Sequence, residues 1–392
     1  MKSLKILIVT GSLSYGGITS FLIPLVNQLA KQDYNVSLAY TYDEDSFVSR
    51  IDSSVRVLRH SRPTKKQLIF DYITRLRLLD LLRIRFRNKR KTDAIAAIQR
   101  WGYRTAEITE VCGPMAEDYD VAISASEFCS NKIVAEKINA TKKIGWIHPD
   151  FSTLKIDLSA ERLVHQRLDA IVTVSEAGRQ ALVEKFPESR DKFFYVENML
   201  DTDWIVKKSE EEIPNIWAGC NGRKIITVCR IDNSAKRVDR VLNIAKVMVE
   251  KKENFRWCIV GEGPDLAMVK SLAEQMQLGN HVLFLGKKEN PYPYMKSADV
   301  FVLTSQYEGK PVVIEEAKAL GIPIVSTRYA SAEEQILPQY GIVVPNEDGV
   351  LEAKIAEALI EGGWLSPPHN ISPEYTTKNE ESLRKVMSIL ES

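Results

Sequence analysis

Paired cysteines are the first thing this sequence lacks. Cys112, Cys129, Cys220, Cys229 and Cys258 are scattered through 392 residues with no C-x-x-C spacing among them. An odd, dispersed set excludes a disulfide framework and a zinc site, and fits reduced thiols in the cytoplasm. Long apolar runs are missing too: nothing approaches the roughly 18 to 20 residues that cross a bilayer. The short run Ile6 to Val9 is too brief for the apolar core of a signal peptide. Charge of one sign is not in excess either. Lys and Arg total 53 against 52 Asp and Glu, a net charge of +1, which excludes the molecule as a whole as a nucleic-acid binder. Neither a G-x-x-x-x-G-K-[ST] loop nor a G-x-G-x-x-G fingerprint occurs, and no internal repeat is evident.

What is present is an ordinary globular composition, 44% hydrophobic and 27% charged, in a chain longer than one core usually serves. LKILIVT, then GSLSYGGITS, then FLIPLVNQLAKQ and NVSLAYTY read as strand, glycine-rich turn, helix, strand. That βαβ unit predicts a parallel sheet covered by helices. YDVAISAS, KKIGWIH and AIVTVS continue the first half as short strands. KIITVCR, WCIVGEG, VLFLG, VFVLTS and PIVST build a second, similar half. The expected fold class is therefore α/β, with two facing Rossmann-like domains across a cleft. Residues 1–201 form the first domain and 222–370 the second. The polar stretch 202–221 reads as a linker, and 371–392 as a C-terminal helix returning to the first domain.

Residues 75–91 stand apart. Arg75, Arg77, Arg83, Arg85, Arg87, Lys89, Arg90 and Lys91 face a single acid, Asp80, with Leu76, Leu78, Leu79, Leu81, Leu82, Ile84 and Phe86 between them. Two readings lead, a solvated helix packing on its own domain or a helix lying on an anionic membrane surface; a nucleic-acid contact comes third, because aromatic stacking residues are sparse here.

The chemistry concentrates in ADVFVLTSQYEGKPVVIEEAKALGIPIVST, Ala298 to Thr327. A buried strand runs into QYEGKP, and a helix begins near Pro311. Gly309 lets the backbone approach a ligand, and free N–H groups at the helix start favour an anion. Glu308 and Glu316 flank that position. Like charge bars them from binding phosphate, but both can accept hydrogen bonds from hydroxyls. A nucleotide sugar has that layout, a diphosphate between two polyol ends. Either glutamate alone would read as an ordinary surface residue. In TVCRIDNSAKRVDRVL, Arg230 follows a strand and Lys236 precedes a helix. Together they can neutralise a departing diphosphate.

With its A-x-A-x-G-x-P tail, this E-x7-E run resembles the donor motif of glycosyltransferase family 4, retaining enzymes of the GT-B fold. NPYPYMKSADVFVLTSQYEG resembles the family's bacterial capsular and lipopolysaccharide members in particular. The resemblance implies that Glu308 contacts the donor sugar and Glu316 the ribose hydroxyls, with Glu315 as the neighbouring alternative. It also implies that Arg230 and a lysine stabilise the diphosphate. The spacing here is one residue wider than the commonest form, which leaves Lys236 and Arg237 as alternatives. Trp146-Ile147-His148 resembles an element whose histidine points at the donor sugar. Gly16 and Gly17 resemble a loop that approaches the donor phosphate, and IVGEGPD, with Gly261 and Gly263, one that borders the base. Gly309, Lys310 and Pro311 complete the implied donor site.

The implied activity is transfer of a sugar from a nucleotide-sugar donor, expected to be a UDP-sugar, to a hydroxyl of a glycan or lipid-linked glycan in surface polysaccharide biosynthesis. No cofactor, catalytic metal or nucleic-acid partner is expected. The expected location is cytoplasmic, peripheral at the inner membrane face if 75–91 binds there. The rival readings are a nucleotide-sugar epimerase on the same scaffold and a non-catalytic polysaccharide-assembly protein.

Overall fold

Strand β1 (Lys5–Thr10) is apolar from Ile6 to Val9 because both of its faces are covered there. Ile6 and Ile8 point into one cluster of buried side chains, Leu7 and Val9 into another. The chain continues with α1 (Gly17–Ala30), β2 (Asn35–Tyr40) and β3 (Arg56–Arg59). It then forms β4 (Tyr119–Ser124), α2 (Cys129–Lys137), β5 (Ala140–Ile147), α3 (Leu158–Gln166), β6 (Ala170–Thr173), α4 (Glu176–Lys185) and β7 (Phe193–Tyr195). The computed structural model describes residues 3–11, 13, 16–40, 47–59, 117–362 and 372–392. The basic segment 75–91 lies outside them.

These seven strands form one parallel sheet in the order β3-β2-β1-β4-β5-β6-β7. The order reverses between β1 and β4, the point at which doubly wound sheets bind ligands beyond their carboxyl ends.

The second sheet repeats the scheme with β8 (Arg223–Val228), β9 (Phe255–Val260), β10 (Val282–Gly286), β11 (Val300–Leu303), β12 (Ile324–Thr327) and β13 (Gly341–Val344). Its order is β10-β9-β8-β11-β12-β13, all parallel, with the reversal between β8 and β11. Ile225, Trp257, Val300 and Val302 face one cluster, while Ile226, Val260, Phe301 and Leu303 face the other. Between these strands run α6 (Val238–Glu250), α7 (Leu266–Gln275), α8 (Tyr292–Lys296), α9 (Val312–Ala319) and α10 (Ala332–Gln335), and α11 (Val350–Glu361) follows the last of them.

The chain divides into two compact units, Met1–Met199 with Asn379–Ser392, and Leu200–Lys378. Residues 202–221, read from sequence as a linker, belong to the second unit. They include α5 (Thr202–Lys208), whose N-terminus is capped by the Asp201 carboxylate, accepting from Trp204 N at 3.1 Å. Ile205 and Trp217 are buried, and Trp217 Nε1 donates to Ser297 Oγ at 2.9 Å. The polarity that suggested a linker belongs to one face only; Trp204, Ile213 and Ile216 lie on the other, against the core.

Helix α12 (Ser372–Glu391) serves both units in turn. Glu374 accepts from Tyr340 OH in the second. From Asn379 onward the helix belongs to the first unit, where Leu383, Val386, Ile389 and Leu390 complete its core. Among the described residues no helix is long and apolar enough to cross a membrane.

Candidate active site

Past the end of β11 the chain enters a short loop that is pinned on all sides. Thr304 and Ser305 are buried. Thr304 Oγ1 donates to the carbonyls of Lys236 and Arg237 at 3.2 and 3.1 Å. Ser305 O accepts from Thr327 Oγ1 at 2.6 Å, and Gln306 N donates to Ala235 O at 2.7 Å. Asn346 Nδ2 reaches the carbonyls of Ser305, Gln306 and Arg328. The loop therefore holds Glu308 on a fixed support beside the loop that follows β8.

Glu308 is partly buried and its Oε1 accepts from Ser305 Oγ at 2.6 Å and from Lys236 Nζ. Lys236 and Arg237, alternatives in the sequence, are separated by this geometry. Arg237 adopts a left-handed conformation with φ 49° ahead of α6, and its guanidinium bonds Asp239, Asp348 and Gln306. Lys236 is the cation on Glu308.

Arg230 is more than half exposed and pairs with Asp232, whose other oxygen accepts from Ser234 Oγ at 2.5 Å. Cys229 lies among these groups. Burial pushes its thiol up to about 12, and the charges of Lys236, Glu308, Arg230 and Asp232 all act on it. The four charged groups thus gather where β8 and β11 diverge.

The loop after β8 sits under the one after β9. A Cβ at Gly261 would lie 1.9 Å from Cys229 O, at a φ of 146° that favours glycine, and one at Gly263 would lie 2.1 Å from Ile231 O. Ile231 N donates to Glu262 O at 2.9 Å, closing the two loops together. These two glycines shape the backbone around Arg230.

Helix α9 begins at Val312, with Pro311 as its N-cap residue instead of the first helical residue. Gln335 fixes this end, donating from Nε2 to Pro311 O at 3.0 Å and to Glu315 Oε1 at 2.7 Å. Gly309 O accepts from Ser331 Oγ, and Lys310 is buried. Glu315 and Glu316 are both buried but separately engaged. Glu315 pairs with the buried Lys318 at 3.2 Å, whereas Glu316 accepts from Tyr292 OH at 3.0 Å.

In the first unit, His148 follows β5. Burial lowers its imidazole below the usual range, against the pull of the Glu127 carboxylate and the Ala125 carbonyl. Its Nε2 lies 3.0 Å from Ala125 O, so the neutral ring donates there and keeps Nδ1 as an acceptor. Its ring stands 4.7 Å from Phe21 of α1. That helix starts at Gly17, whose neighbour Gly16 is extended with open space around a notional Cβ. Nothing in the backbone demands glycine at 16.

Reading the sequence missed Ser305, Tyr292, Gln335 and above all Arg240. Arg240 is 1% exposed. Its Nε donates to Asp348 Oδ1 at 2.8 Å, Nη1 to Thr304 O at 3.0 Å and Asn346 Oδ1 at 2.7 Å, and Nη2 to Gln306 Oε1 at 2.6 Å. It ties α6 to the loop that carries Glu308. Only its position on the apolar stripe of α6, between Val238, Val241 and Leu242, signalled burial.

Residues 209–375 match the family described as glycosyl transferases group 1. N-acetyl-alpha-D-glucosaminyl L-malate synthase of Bacillus anthracis is 24% identical over 223 residues, 56% of this chain and 57% of its own length. N-acetylgalactosamine-N,N'-diacetylbacillosaminyl-diphospho-undecaprenol 4-alpha-N-acetylgalactosaminyltransferase of Campylobacter jejuni is 24% identical over 236 residues, 59% of this chain and 62% of its own length. The chain thus spans less than two thirds of either relative. Among solved structures, Anabaena HepE in complex with UDP and glucose shares the fold with a TM-score of 0.69 at 13% identity, covering 99% of this chain and all of that one (100%). The two Rossmann-like sheets are those of the GT-B fold, and the match to the glycosyl transferases group 1 family covers somewhat less than half of the chain.

Proposed function

We propose that the protein is a retaining glycosyltransferase that moves a sugar from a UDP-sugar to a hydroxyl of a glycan or lipid-linked glycan. The observation that carries this reading is the Lys236–Glu308 pair, held by Ser305 beside Arg230 and the start of α9. A cation and a hydroxyl-accepting carboxylate lie side by side at the sheet's switch point, where one molecule with a phosphate next to a polyol can engage both.

In this reading the donor's diphosphate draws Lys236 Nζ away from Glu308. Arg230 and the N–H groups of α9 add positive charge as the bond between anomeric carbon and phosphate oxygen breaks. Glu308 then accepts from hydroxyls of the donor sugar, and Glu316 from those of the ribose. His148, through Nδ1, is proposed as a further contact to the donor sugar. Gly16 and Gly17 are proposed as contacts to the phosphate, as the family resemblance implies. Retention of configuration in a single displacement requires the acceptor hydroxyl to attack from the face that the phosphate leaves, its proton passing to the departing phosphate oxygen. The Campylobacter relative's name, with its diphospho-undecaprenol acceptor, supports a lipid-linked acceptor here. Residues 75–91 are proposed to meet the anionic membrane surface at which such an acceptor resides.

A thermal-shift panel of UDP-, GDP- and ADP-sugars tests the donor class, followed by assay of UDP release with acceptor. Glu308→Ala is expected to lower transfer by more than about 100-fold. Stabilisation by no nucleotide sugar would sink the proposal, and interconversion of a UDP-sugar without acceptor would point to an epimerase. Vesicle flotation of an Arg83/Arg85/Arg87→Glu variant tests the membrane contact; binding equal to the original chain removes it.

A further inference from the structure

The proposed ribose carboxylate, Glu316, is not held by its own helix alone. Tyr292, the first residue of α8, is 1% exposed and donates its phenolic hydrogen to Glu316 Oε1 at 3.0 Å. The tyrosine is itself locked. The Trp204 indole of α5 stands edge-on to its ring, with centroids 5.5 Å apart and planes at 88°. Tyr292 N donates to Asn290 Oδ1 at 3.2 Å, and Asn290 Nδ2 donates to Lys208 O at 2.8 Å and Glu211 Oε2 at 2.7 Å. A buried aromatic wedge, fixed from two elements, therefore ends on one oxygen of a carboxylate.

We infer that Tyr292 is a positioning residue that sets the rotation of the Glu316 carboxylate and thereby the enzyme's discrimination for a nucleotide with an intact ribose diol. This rests on the reading of Glu316 as the ribose acceptor. A carboxylate at the end of a glutamate side chain turns freely about its last bond unless something holds it. A ribose diol presents two donors at a fixed separation, so it gains from an acceptor whose plane is set before binding. Lys318 and Gln335 hold Glu315, one residue earlier, whereas the Tyr292 phenol reaches its neighbour Glu316.

The test compares the affinity for UDP with that for 2′-deoxy-UDP in the full-length chain, Tyr292→Phe and Glu316→Ala, with kcat at saturating donor and Tm measured alongside. The unmodified chain is expected to prefer UDP by about tenfold or more. Tyr292→Phe is expected to shrink that preference to within about threefold while kcat at saturating donor changes less than about twofold. A merely structural tyrosine would lower Tm and weaken both ligands alike, leaving the ratio intact. An unchanged ratio in Tyr292→Phe, with the preference lost in Glu316→Ala, overturns the inference and leaves the ribose reading standing. A preference that survives Glu316→Ala removes the ribose reading itself. Should Tyr292→Phe fail to fold, Asn290→Ala loosens the same tyrosine from outside. It must shrink the ratio in the same direction, and an unchanged ratio overturns the inference.

Discussion

Replacing Arg240 with methionine removes a guanidinium while keeping most of its length and volume, so the cavity left behind is small. The loss is therefore one of hydrogen bonds. Four bonds go, to Asp348, Thr304 O, Asn346 and Gln306. Bonds from a charged donor contribute about 1.5–3 kcal/mol each, but they share one side chain and do not add. Asp348 is 58% exposed and its share is screened by water. The buried Thr304 carbonyl loses a donor, which costs about 1–3 kcal/mol. The expected loss is about 2–4 kcal/mol, set by the stranded Thr304 carbonyl and the bonds to Asn346 and Gln306, with little from the exposed Asp348. Urea unfolding followed by tryptophan fluorescence measures it, and a parallel UDP-sugar titration reads the consequence for the loop bearing Glu308. Affinity for the donor should fall about tenfold, and Arg240→Lys should recover part of both losses. A destabilisation under about 1 kcal/mol would refute the energetic argument. Full destabilisation with unaltered donor affinity would refute the claim that Arg240 positions that loop.

Three other outcomes follow from described geometry. Lys236→Met should cut kcat/KM by about 100-fold with little change in stability, whereas Arg237→Met should do the reverse, because only Lys236 pairs with Glu308. Steady-state kinetics beside thermal melts separates them. Gly261→Ala should destabilise by about 3 kcal/mol, since its methyl would overlap Cys229 O at a φ of 146°; a melting temperature within error of the original would contradict this. His165 is fully buried against Phe186 and Phe193, with the Glu161 carboxylate 3.7 Å away, too far to hydrogen-bond. Burial drives its imidazole down to about 4, with Glu188 opposing and Lys192 assisting. In the unfolded chain the same ring takes its proton near 6.5, so its contribution to stability is full above that pH and is lost as pH falls toward 4. Near pH 5 the loss is about 2 kcal/mol. His165→Leu should flatten the profile of urea midpoints against pH over that window, and an unchanged slope counts against it.

The sheets were legible because strands buried on both faces write themselves as unbroken apolar runs. LKILIVT, KIITVCR and VFVLTS each fall on a central strand, β1, β8 and β11. Two edge strands are harder to read: among the described residues β3 and β7 have only one neighbour each and carry little such signal, unlike the edge strand β10 with its run VLFLG. The stretch 202–221 was misread for a related reason, as average polarity hides an amphipathic face when only every third or fourth residue is buried. Glu308 was readable as a candidate from a motif, and Lys236 only as one of two alternatives with Arg237. Their mutual ion pair was not, because 72 residues separate them and only the packing of β11 against β8 joins them. Arg240 was hidden by the same distance. Its acceptors lie at 304, 306, 346 and 348, and nothing around position 240 announces them.

The ownership of α12 bears on the order in which the protein can mature on the ribosome. Leu383, Val386, Ile389 and Leu390 fill the core of a unit whose other residues end at Met199. Every residue of the second unit, from Leu200 to Lys378, is synthesised before those four. The second unit can therefore finish folding as it emerges, while the first waits with part of its apolar surface open. The half made first is the half completed last, and through that interval it is the segment on which chaperones and proteases can act.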